Sequence, residues 1–113
     1  IIAGSRTCND YDLFLSSIVE SGFEIDEVVS GECAGPDGMG EFWAKENNIS
    51  LKLFPADWVK GRSAGPVRNS EMVSYVGKSG ALILLWDGRS RGSFDILTKA
   101  FNTGLDIFVK TIR

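Results

Sequence analysis

Five of the chain's six arginines, Arg6, Arg62, Arg68, Arg89 and Arg91, fall in or beside glycine-bearing stretches, whereas the lysines are scattered mostly over expected helix faces. A guanidinium suits bidentate recognition of phosphate or carboxylate, so an acidic protein that gathers arginines at one edge is expected to bind a small anion there. Carboxylates accompany them. Asp37, Asp57, Asp87 and Asp95 can accept ribose hydroxyls, hold a metal through water, or act as general base or nucleophile. Asp37 is equally suited to capping a helix, and Asp87 to opening a tight Asp-Gly turn. Ser5 and Ser93 are short hydroxyl donors of the kind that bind phosphate at helix starts, though Ser93 serves equally well as a cap. Trp58, beside Asp57, either stacks on a base or packs beneath its loop.

Other chemistries are excluded by composition. The 113 residues include no histidine, so neither a Ser-His-Asp nor a Cys-His relay can be built. The two cysteines, Cys8 and Cys33, form no disulfide framework and match no zinc spacing, and no metal site is expected. A net charge of −3 and a pI near 4.9 argue against nucleic acid as a primary partner. The longest apolar run, Ala81 to Trp86, is too short to cross a bilayer. No charged leader precedes Ile1, and a cytoplasmic address is the default expectation.

The elements that must position these groups follow from periodicity. Short apolar stretches recur about every 25 residues: Ile1 to Ala3, Glu27 to Ser30, Leu51 to Phe54, Ala81 to Trp86 and Ile107 to Thr111. Between them lie helical spacings at Leu15/Ile18/Val19, Met39/Phe42/Trp43, Met72/Val73/Val76 and Leu97/Ala100/Phe101. The alternation predicts one α/β domain over residues 1–113: a three-layer, Rossmann-like open sheet of five parallel strands in the order 3-2-1-4-5, with helices on both faces. Asp10, Asp37 and Ser93 are the expected N-caps, and Pro66 suits a first helical turn. The stretches GECAGPDGMG, KGRSAGP and DGRSRG each follow an expected strand, at the edge where such sheets form their ligand crevice. Two familiar fingerprints are absent. Gly77 to Ser79 resembles a Walker A ending but has Met72 in place of the first glycine and precedes a strand, which makes it a helix-end turn. The first strand is followed by AGSRTCND rather than GxGxxG, so neither NAD nor FAD is expected, nor any other cofactor.

In order along the chain, GSR (Gly4 to Arg6), SGECAGPD (Ser30 to Asp37), PADW (Pro55 to Trp58), AGPVRN (Ala64 to Asn69) and WDGRSRGS (Trp86 to Ser93) resemble the YspA-like branch of the SLOG superfamily, over nearly the whole chain. That superfamily includes cytokinin-activating nucleotide phosphoribohydrolases, the DNA-loading protein of natural transformation and sensors of nucleotide-derived signals. The resemblance implies a ligand of the nucleotide, nucleoside or ADP-ribose type, and a homodimer. It departs from the SGGAxGAD pattern at Glu32, Cys33 and Pro36. Where the phosphoribohydrolases carry a glutamate the chain has Ile96, with Asp95 one residue early, a turn of about 100° on a helix.

Ligand contacts are therefore expected from Gly4, Ser5, Arg6, Ser30, Gly31, Gly35, Asp37, Asp57, Trp58, Arg68, Asn69, Asp87, Gly88, Ser90, Gly92 and Ser93, with the GSR loop beside the DGRSRGS loop. Two functions fit. In one, the protein is a sensor or sequestering module for a phosphate-bearing nucleotide derivative. In the other it is a small glycosidic-bond enzyme, a phosphoribohydrolase or deoxyribosyltransferase-like protein. Asp95, or Glu41 on the second helix, would then stabilise an oxocarbenium-like centre or activate water. The missing glutamate at Ile96 favours the first.

Overall fold

A computed structural model describes residues 1–112. Strands and helices alternate along the chain: β1 (Ile2–Gly4), α1 (Tyr11–Ser21), β2 (Glu27–Ser30), α2 (Pro36–Glu46), β3 (Ser50–Leu53), α3 (Ala64–Val76), β4 (Ala81–Trp86), α4 (Arg91–Thr103) and β5 (Asp106–Thr111), with a 3-10 turn at Trp58–Lys60 before α3. Every strand pairing is parallel.

The strands carry their faces in alternation. Ile1, Ala3, Leu82 and Leu84 pack with Met72 and Val73 of α3 and Ile96 and Ala100 of α4. Ile2, Ile83 and Leu85 pack on the opposite side with Phe14 of α1 and Ala44 of α2. β2 continues the two layers, with Val29 in the first cluster and Val28 in the second. An all-apolar strand such as Ala81–Trp86 needs cover on both faces. Burying each Leu or Ile contributes roughly 1.5–3 kcal/mol.

The expected continuous five-stranded sheet is corrected. The hydrogen-bonded ladders form a three-stranded sheet of order β1-β4-β5 and a separate two-stranded sheet, β2-β3. β1 has three residues and is registered along its whole length with Ile83 to Leu85 of β4. Among the described residues the other edge of β1 forms no ladder. β1 and β2 still lie in contact, and α2 packs against both, bridging the seam.

Helix starts differ from expectation in two places. Asp10 caps α1, its Oδ1 accepting from Leu13 N at 3.0 Å. Asp37 is not a cap: Pro36, with no N–H and a fixed φ, occupies the first position of α2, so the cap falls on Gly35. Ser93 is not a cap either, because Ser90 Oγ accepts from Ser93 N at 3.3 Å and takes that role for α4. Pro66 does lie in the first turn of α3, and Gly77 closes that helix.

Candidate functional site

Beyond the carboxyl ends of β1 and β4, the loops and the first turns of α3 and α4 enclose a cavity of about 650 Å³, within the roughly 300–1,000 Å³ of small-molecule sites. The GSR and DGRSRGS loops meet there. Ser5 Oγ accepts from Asp87 N at 3.0 Å, and Ser5 N donates to Leu85 O at 2.9 Å. Gly4 is required at this junction because a side chain would collide with the Leu85 carbonyl and with the Pro36 ring, 2.7 Å from the position of a Cβ.

Of the residues expected from sequence, the cavity is lined by Gly4, Ser5, Arg6, Asp37, Trp58, Arg68, Asn69, Asp87, Ser90, Gly92, Ser93 and Asp95. Ser30, Gly31, Gly35, Asp57, Gly88 and Glu41 do not line it. Most of these act as a supporting layer. Gly31 O accepts from Arg68 Nη1, and Gly31 N donates to Asp37 Oδ2 at 3.2 Å. Gly35, at φ 81°, lets the start of α2 approach the Ser5 and Cys8 carbonyls. Glu41, expected as a catalytic alternative, instead accepts from Ser30 Oγ at 2.7 Å. Gly88 forms the exposed Asp-Gly turn at φ 80°. Asp57 is exposed, 3.9 Å from Lys60 Nζ.

Four arginines and three aspartates make up the charged lining. Arg6, Arg62, Arg68 and Arg91 line the cavity, and among the described residues every ion pair uses a lysine, so no carboxylate is paired with these guanidiniums. Arg89 does not line the cavity. Arg68 is buried and held from three sides: Nη1 on Gly31 O, Nε on Asn69 Oδ1 at 3.0 Å, and Nη2 on Cys33 Sγ at 3.7 Å. Asp95 is already engaged, its Oδ2 accepting from Asn69 Nδ2 and Lys99 Nζ, each at 2.9 Å.

Asp37 is the perturbed carboxyl. Burial pushes it up from 3.8 to about 6, against the pull of the Arg68 charge and of amide hydrogen bonds from Cys33 and Gly31. Asp87 is held below its ordinary value, chiefly by the amides of Arg89 and Ser90, which donate to Oδ1 at 2.8 and 2.9 Å. At the start of α4, Ser93 Oγ is buried and has no hydrogen-bond partner among the described residues. Ser93 and Gly92 are both cavity-lining residues, at a helix start, where first-turn N–H groups lack intrahelical acceptors.

Sequence reasoning passed over Cys33, Thr7, Pro66 and Met72, which also line the cavity, and Lys99, which neutralises Asp95. Two of these were detectable. Met72 lies one turn beyond Arg68 on α3, and Lys99 is four residues from Asp95, the spacing of a helix ion pair. Glu32 stands where the SGGAxGAD pattern has glycine and adopts φ 57°, a left-handed conformation that costs a side-chain-bearing residue about 1–2 kcal/mol. Compared with known proteins, the chain matches no family model, no curated protein and no solved structure.

Proposed function

We propose that the cavity binds the phosphate of a small nucleotide, nucleoside or ADP-ribose-type molecule, and that the protein senses or sequesters this ligand rather than turning it over. The observation that carries the reading is the buried, unpartnered Ser93 hydroxyl at the start of α4, in a cavity lined by four arginines without carboxylate partners. Leaving such a hydroxyl unsatisfied costs about 1–3 kcal/mol, and a phosphate oxygen there would accept its proton while meeting the helix N-terminus and the guanidiniums. The SLOG-like motifs point to the same ligand class.

Binding without turnover is supported by the two carboxylates expected to be catalytic, Asp95 and Glu41. A glycosidic-bond enzyme needs one free to stabilise positive charge or activate water. Asp95 has Lys99 and Asn69 on one oxygen, and Glu41 lies outside the cavity on Ser30. The test is calorimetric titration with inorganic phosphate, ribose 5-phosphate, adenosine 5′-monophosphate and ADP-ribose, with chromatography of the same mixtures for free base. Saturable binding of phosphate-bearing ligands without base release is expected. Absence of binding by every phosphate compound overturns the phosphate site, and base release promotes the enzyme.

A further inference from the structure

Trp58 is the large aromatic side chain of the cavity, and neither hydrophobic core cluster includes it. Its exposure is 52% and that of the adjacent Val59 is 97%, so the 3-10 turn is not anchored by burying its apolar residues. The indole is nonetheless held. Lys60 N donates to Asp57 O and Gly61 N to Trp58 O, each at 3.0 Å, closing the turn. Gly65, in the first turn of α3, gives the ring its seat: a Cβ there would stand 3.1 Å from Trp58 Cη2. The Arg6 guanidinium lies 5.6 Å from the ring centroid, within cation–π range.

A half-exposed indole at the cavity wall, seated against Gly65, is an aromatic surface without an aromatic partner among the described residues. We infer that Trp58, seated on Gly65 and flanked by Arg6, is the stacking platform for the planar heterocycle of the ligand, so that the site selects base-bearing phosphates over bare sugar phosphates. This rests on the phosphate-site reading above. Recognition is then divided: the α4 start with Ser93 takes the phosphate, and the Trp58–Arg6 pair takes the base. A purine presents the larger stacking face, and Arg6, with a planar guanidinium, is positioned to stack as well as to hold the indole.

The experiment compares adenosine 5′-monophosphate, ribose 5-phosphate, adenosine and inorganic phosphate by calorimetry, on the full chain and on Trp58→Ala, Trp58→Phe and Gly65→Ala. The original chain should prefer the monophosphate over ribose 5-phosphate by roughly 5- to 150-fold, the range of a base–aromatic stack. Trp58→Ala should abolish that preference and Trp58→Phe restore part of it. Gly65→Ala should erode it by displacing the ring while leaving the chain folded, as read by circular dichroism. Equal affinity of the original chain for the two phosphates overturns the stacking platform and leaves the phosphate site standing. Adenosine binding that depends on Trp58 while no phosphate compound gains from its phosphate supports the platform and overturns the phosphate site instead. Binding of none of the four compounds overturns both.

Discussion

Replacing Asp37 with asparagine should stabilise the protein at neutral pH and lose that benefit in acid. The carboxyl titrates near 6 in the folded chain against an ordinary 3.8. Between those values the folded state holds a proton that the unfolded state has released, so folding stability falls as pH rises through the window. Below 3.8 both states are protonated and Asp37 imposes no cost. Above about 6 both are ionised and the cost is complete: about 3 kcal/mol, at about 1.4 kcal/mol per pH unit of separation. An asparagine keeps an oxygen to accept from Gly31 N, now 3.2 Å from Asp37 Oδ2, without the buried charge. Urea unfolding of both proteins at pH 4, 5, 6 and 7.5 measures the difference directly. With a slope of roughly 1–3 kcal/mol per molar urea, the midpoint of Asp37→Asn at pH 7.5 should lie on the order of 1–3 M higher, and the two curves should converge near pH 4. A gain as large at pH 4 as at pH 7.5, or a less stable variant at pH 7.5, would show that burial is not what perturbs this carboxyl.

Ser93→Ala removes a hydroxyl that bonds to nothing in the folded chain. Its unfolding midpoint should be unchanged or slightly higher, while affinity for adenosine 5′-monophosphate drops at least about tenfold, the worth of a hydrogen bond to a charged group; lost stability with intact affinity would refute the role. Arg68→Ala should also weaken monophosphate binding at least about tenfold. It should destabilise the fold by roughly 2–4 kcal/mol, because a guanidinium bonded to Gly31 and Asn69 is lost and a buried carbonyl loses its donor; Arg68→Lys, which keeps the charge but not the fork, should recover only part of either. Asp95→Ala should bind the monophosphate as well as the original chain or slightly better. Neither protein should release free base on chromatography, and release by the original chain that disappears in Asp95→Ala with binding intact would assign catalysis to that carboxylate.

The strands were legible because their signal is local. β2 and β4 match the apolar runs residue for residue, and β1, β3 and β5 differ by one residue at their ends. The position of the arginine- and glycine-bearing loops followed from the same alternation. What periodicity does not carry is which backbone groups find partners across the seam between β1 and β2, since apolarity marks a strand without fixing the neighbour it pairs with. The two caps displaced onto Gly35 and Ser90 show a similar limit: Asp37 and Ser93 have suitable chemistry, but Pro36 and the hydroxyl of Ser90 claim the boundary first. The perturbation of Asp37 was invisible for a different reason. It arises from burial of the start of α2 beside the GSR loop and the Arg68 charge, neighbours distant in sequence, while the sequence itself offers only an aspartate near a helix start. The sequestration of Glu41 by Ser30 is likewise a tertiary fact, eleven residues apart along the chain.

Three groups that work against folding lie at the cavity or in the loop beside it. Asp37 is buried with its carboxyl pushed up, Glu32 holds a left-handed backbone next to Cys33, and Ser93 keeps an unpartnered hydroxyl. Away from the cavity, Asn48 also holds a left-handed backbone, at φ 54°, while the strands keep alternating faces and two apolar layers. A preorganised binding site needs groups such as Ser93, because donors and charges satisfied within the protein have nothing left to offer a ligand. The cavity's arginines follow the same logic. Arg68 is fixed by neutral acceptors, the Gly31 carbonyl and the Asn69 side chain, rather than by a carboxylate pair, so its orientation is set while its positive charge is only partly offset by the nearby Asp37. Asp95 is the converse case: it lies at the same cavity but its charge is met by Lys99, which removes a negative group from the balance an incoming anion would feel. On the proposed phosphate reading, Lys99 thus spares an incoming anion most of the opposition that Asp95 would otherwise offer.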